Sequence, residues 1–195
     1  MMRLKPILPS LALMLAAAPA FAHTGAGTVF SFQSGFLHPL GGLDHLLAMF
    51  AVGLLAAQLG GRAIWLVPGA FVAMMIAGAL MGFAGIEIPG VELGIVVSIV
   101  AIALPVAFAF GMPAVLAMAY VGFFALFHGY AHGAELPPGA GTVPYIAGFA
   151  AATALIHAAG IAAGVSCGRL PSMRGNALRL AGSLVVILGI GLAVS

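Results

Sequence analysis

From Phe36 to Val194 the chain is a succession of apolar stretches, each near the length of a bilayer, divided by glycine and proline. A spanning helix needs about 20 consecutive apolar residues. Six stretches approach or reach that length: Phe36–Leu59, Ile64–Phe83, Leu93–Phe110, Ala114–Ala131, Pro144–Val165 and Leu178–Val194. The breakers are Gly60-Gly61, Gly85 with Pro89-Gly90, Gly111-Met112-Pro113, Pro137-Pro138-Gly139, and residues 168–175. Only 5% of the residues are charged, against about 25% in a water-soluble domain. Such a chain cannot cover a surface facing water. Lipid offers a bare backbone no hydrogen-bond partner, so its spans must be helices. The expectation is an all-α fold, a bundle of six transmembrane helices, with residues 23–195 forming one domain. Pro105 lies within the third stretch and is expected to kink it.

The first 22 residues stand apart. Arg3 and Lys5 make a basic start, Ile7 to Ala18 an apolar middle, and Ala20-Phe21-Ala22 a small-x-small ending. That is the pattern of a secretory signal peptide cut after Ala22; uncleaved, it would be a seventh helix with the same sidedness. Arg62 lies between the first two stretches, and Arg169, Arg174 and Arg179 lie around the link from fifth to sixth. The alternate connections hold Glu87, Glu92 and Glu135 and no Lys or Arg. Basic loops stay in the cytoplasm, so the mature N-terminus is expected on the periplasmic side of a bacterial inner membrane.

Against this background two polar segments are out of place. One is His38-Pro39-Leu40-Gly41-Gly42-Leu43-Asp44-His45; the other is Phe127-His128-Gly129-Tyr130-Ala131-His132-Gly133-Ala134-Glu135. Together they hold four of the six histidines and two of the four acids. Ionisable groups at membrane depth are costly and usually functional, and imidazole with carboxylate is a ligand set suited to first-row divalent metals. His128 and His132 are four apart, one turn on a shared helix face, and Glu135 follows three later. His38 and His45 are seven apart, two turns on one face if the helix runs through. Asp44 would bind another edge of the ion or orient His45. Pro39, Gly41 and Gly42 make a regular helix there unexpected, and a broken or re-entrant segment fits better. Both segments fall at the same, outer end of their spans. The structural alternatives are a helix–helix hydrogen-bond pair for His128/His132 and an N-terminal cap for Asp44/His45.

Two further histidines are open. His157, in mid-span, is either a relay ligand or a buried hydrogen-bond donor. His23 would be the first residue after cleavage, able to chelate through its amine and ring, or simply part of an unstructured terminus. Gly78/Gly82, Gly129/Gly133 and Gly160/Gly164 have the small-x-x-x-small spacing of close helix packing. Glu87 and Glu92 are expected to be solvated loop residues. Cys167 is alone, so the chain forms no internal disulfide. No Gly-x4-Gly-Lys-Ser/Thr loop and no His-Glu-x-x-His occurs, and no basic stripe suggests nucleic acid. The chain is not expected to be an enzyme or to hold a prosthetic group.

The pattern His38-Pro39-x-x-Gly42-x-Asp44-His45 with Phe127-His128-Gly129-x-Ala131-His132-Gly133-x-Glu135 resembles the HupE/UreJ family of bacterial membrane proteins, as do the signal peptide, six spans and length. The resemblance implies a nickel or cobalt permease linked to hydrogenase or urease maturation, with His38, Asp44, His45, His128, His132 and Glu135 handling the metal. The first motif is also similar to the His-x4-Asp-His signature of larger nickel/cobalt transporters, but five residues separate His38 from Asp44 here, so the metal geometry need not be the same. The leading expectation is uptake of Ni²⁺ or Co²⁺ as cargo. The alternatives are a membrane-bound metal chaperone and a b-type haem protein with His128 or His132 paired to His157.

Overall fold

A computed structural model of the chain describes residues 28–168 and 176–194, and these form seven helices with no strand among the described residues. They are α1 (Thr28–Gly41), α2 (Leu43–Leu59), α3 (Ala63–Phe83), α4 (Val91–Ala107), α5 (Ala114–Ala134), α6 (Thr142–Gly168) and α7 (Asn176–Ala193). The proposed signal peptide, His23, Arg169 and Arg174 lie outside the described residues. Four helices are long and apolar enough to cross a membrane: α3, α5, α6 and α7. A fifth crossing exists only if α1 and α2, bent by 84° at Gly42, are counted together.

The first apolar stretch is therefore not one helix starting at Phe36. Pro39 lacks an amide hydrogen and crowds the turn before it, and the next two turn residues, Gly41 and Gly42, resist leaving the helix least. Gly42 is extended (φ −106°, ψ 120°), and its carbonyl accepts the first bond of α2 from Leu46 N at 3.1 Å. The third stretch also ends early. Pro105 falls in the last turn of α4, which stops at Ala107 rather than Phe110. It terminates the helix instead of kinking its middle. The carbonyls at and beyond this end find partners on other helices. Gln58 Nε2 donates to Pro105 O (3.1 Å) and Phe110 O (2.9 Å), and Arg179 Nε donates to Ala107 O (3.2 Å).

Packing follows the glycines. The most extensive contact is α3 on α5. There a methyl on Gly78 would strike Leu126 O, one on Gly82 Tyr130 O, one on Gly129 Met75 O, and one on Gly133 Ala79 O. Backbone lies directly on backbone, which only small residues allow. The same device joins α6 to α2, where Gly53 and Gly160 face each other, and to α1 through Gly35 and Gly148. Helix α4 packs on α2 and α7. Large apolar side chains such as Trp65, Leu93, Val115 and Ile187 face outward, while His128, His132, Thr153 and His157 are buried. That inversion of the water-soluble pattern suits a lipid surround.

Candidate metal site

The break at Gly42 turns α1 away from the line of α2 and onto α6, and the two polar segments meet there. His38 is on α1, His45 in the first turn of α2, and His128 and His132 on the last turns of α5. Ring centres are 4.7 Å apart for His38–His132, 4.8 Å for His45–His132 and 4.7 Å for His45–His128. His38 and His45 do meet, at 6.4 Å, although through the 84° elbow and not along one helix face. His45 is 8% exposed; His128 and His132 are fully buried.

The carboxylates sit at the rim. Glu135 caps the end of α5, and its Oε2 lies 3.1 Å from His38 Nε2. Asp44 Oδ1 accepts from the His45 amide (2.8 Å) and pairs with His45 Nδ1 (3.0 Å). The residue at the capping position of α2 is Gly42, which makes no side-chain cap bond; Asp44 instead bonds a first-turn amide, as the capping alternative expects, and also pairs with the His45 ring. The rim opens into a cleft of about 580 Å³ lined in part by His38, Asp44, His45, Glu92 and Glu135. Glu92 thus joins the acidic rim and is not an isolated loop residue.

Proton counting assigns the nitrogens. Ser98 Oγ is 2.6 Å from Ile95 O and 2.7 Å from His128 Nε2. A serine has one hydroxyl proton, and so short a contact with a carbonyl must hold it. The serine oxygen therefore accepts from His128 Nε2–H, which leaves the His128 Nδ1 lone pair free. In the same way the Asp44 carboxylate accepts from His45 Nδ1–H, which leaves the Nε2 lone pair free. His128 Nδ1, His45 Nε2 and both nitrogens of His132 are buried without a hydrogen-bond partner among the described residues. Buried polar atoms are normally paired, so four orphans in one cluster call for an explanation. The Tyr145 hydroxyl is a fifth; its ring lies 6.1 Å from His38. Ser98 and Tyr145 carry no sequence signal, being ordinary polar residues in apolar helices. His132 stacks on Phe149 at 4.9 Å, which fixes its ring plane. Among the described residues no three His, Cys, Asp or Glu are already drawn into a metal-holding arrangement; the rings are closed on one another.

His157 lies apart. Phe71 touches both His128 (5.8 Å) and His157 (5.1 Å).

The fold and this polar centre define the class: a multi-pass, all-helical membrane protein with a buried histidine cluster beneath an acidic rim. The chain belongs to the HupE/UreJ family. The family model described as "HupE / UreJ protein" matches residues 11–192. "Protein HupE" of Rhizobium leguminosarum bv. viciae is 41% identical over 196 residues, covering 99% of this chain and 100% of that protein. No solved structure matches the chain significantly.

Proposed function

We propose that the protein is a secondary permease that takes up Ni²⁺ or Co²⁺ from the periplasm across the inner membrane, supplying hydrogenase or urease maturation. In this reading six spans follow a cleaved signal peptide, and the mature N-terminus is periplasmic, as the placement of the arginines implies. The observation that carries the reading is the set of four orphaned imidazole nitrogens beneath the cleft. Two imidazoles on one cation, with bonds of about 2.1 Å, have ring centres roughly 4.6 Å apart at a right angle and roughly 5.3 Å apart at the tetrahedral angle, and the three close pairs here stand at 4.7–4.8 Å. Loading then needs only small shifts of the rings, with the helices left in place.

Each group has a part. Glu135, Glu92 and Asp44 attract the hydrated cation to the rim. His38, His45, His128 and His132 replace its waters. Asp44 and Ser98 hold His45 and His128 in the tautomers that present a lone pair. Nitrogen and oxygen donors without thiolate suit Ni²⁺ and Co²⁺. The membrane potential drives a doubly charged ion inward with about 4–5 kcal/mol per 100 mV. The test is nickel uptake in a transporter-deficient strain. His132→Ala should abolish uptake at low metal concentration while leaving membrane insertion intact. Uptake at the wild-type level would refute the site, and tight binding without uptake by the unaltered protein would mark a chaperone.

A further inference from the structure

One buried imidazole has no part in the cluster. His157 is 1% exposed in α6, and neither of its ring nitrogens has a hydrogen-bond partner among the described residues. An imidazole left wholly unpaired in an apolar interior is costly, and such residues in membrane helices mark pathways. One turn away on the same face of α6 is Thr153, fully buried. Its hydroxyl lies 3.4 Å from Met49 Sδ and 3.6 Å from Met75 Sδ, and both methionines are also fully buried.

The positions form a ladder leading away from the rim. Met49 is one turn beyond His45 along α2, and His157 one turn beyond Thr153 along α6. Phe71, one turn from Met75 on α3, lies against both His128 and His157. Beyond the histidine cluster, α2, α3 and α6 therefore gather two thioethers, a hydroxyl and an imidazole in an otherwise apolar interior.

We propose that Met49, Met75, Thr153 and His157 form an inner transfer site for the divalent cation, which it occupies after leaving the four outer histidines. The inference rests on the permease reading and adds its second station. The donor chemistry fits that order. Imidazole suits nickel and its neighbours, whereas thioethers are soft and bind them weakly. One nitrogen with weak donors holds the ion less firmly than four imidazoles. Conduction requires such a site, strong enough to receive the ion and weak enough to let it go. Phe71 occupies the space between the two stations, so the ion passes when that ring turns aside.

The test uses the full chain in proteoliposomes with Ni²⁺ alone, measuring equilibrium binding and initial uptake rate. His157→Gln and the near-isosteric Thr153→Val should each keep the tight nickel equivalent at wild-type affinity while uptake at saturating metal falls about tenfold or more. The Met49→Leu/Met75→Leu pair conserves volume and should show the same split; it decides the matter if His157→Gln fails to fold. Wild-type rates at saturating nickel in these variants would overturn the proposal. So would loss of the tight equivalent in His157→Gln, which would make His157 part of the outer site. His132→Ala separates the two readings: if it too keeps the tight equivalent, the outer site has failed and not the inner one.

Discussion

Replacing Ser98 by alanine should weaken capture of the cation while leaving the bundle assembled. The change removes the acceptor 2.7 Å from His128 Nε2 and leaves the Cβ in place. His128 is fully buried, so its Nε2–H would be left unpaired, at a cost of about 1–3 kcal/mol. The ring can escape by turning or by moving its proton to Nδ1, and either takes the free lone pair away from the cluster. Partners that orient a metal-binding histidine are typically worth about 10–100-fold in affinity, which is about 1.4–2.7 kcal/mol, in line with the desolvation figure. The assay is initial nickel uptake across a concentration series, with equilibrium binding to the purified chain. The half-saturating concentration should rise about 10–100-fold, with a smaller change in maximal rate. Ser98→Thr should restore much of the loss, because its hydroxyl can bond the same preceding-turn carbonyl. Wild-type half-saturation in Ser98→Ala, or Thr no better than Ala, would refute the tautomer argument.

Asp44→Asn keeps an acceptor for His45 Nδ1 whereas Asp44→Ala does not, so nickel affinity should fall further in the alanine variant, by about another tenfold; equal losses would mean that Asp44 binds the ion itself. Gly129→Ala drives a methyl into Met75 O and should destabilise the bundle by about 2–3 kcal/mol, whereas Gly191→Ala meets nothing within 4 Å and should melt like the wild type. Uptake should decline once the outside is made strongly acid, because protonated imidazoles release metal; a response that stays flat throughout the acid range in which the protein remains folded would count against histidine ligation.

The helical, membrane-embedded character of the chain was legible because it depends only on apolar length and the absence of charge. The six residues of the two motifs were legible because ionisable groups in such a chain are conspicuous, and the structure gathers all six. How they meet was less so. The sevenfold spacing of His38 and His45 suggested one helix face, but the elbow at Gly42 brings them together by another route. Pro105 suggests a kink, yet its effect depends on Gln58 and Arg179, which bond carbonyls at the end of α4. Glu92 looked like a solvated loop residue because its neighbours across the cleft come from α1 and α5. Ser98 and Tyr145 could not be singled out, since a hydroxyl in an apolar helix acquires a role only from the ring placed beside it. The glycine spacings announced close packing but not which helices would be joined.

That glycine packing divides the bundle. Helices α3 and α5 are locked backbone to backbone, and α6 is locked likewise to α1 and α2, while contacts across the boundary are far sparser. His128 and His132 ride on one assembly, His38 and His45 on the other. A cation held by all four would rivet two stiff assemblies that touch each other lightly, and a rocking of one against the other by about an ångström or two would pull the rivet apart. Release from the four histidines would then require no change of backbone within either assembly.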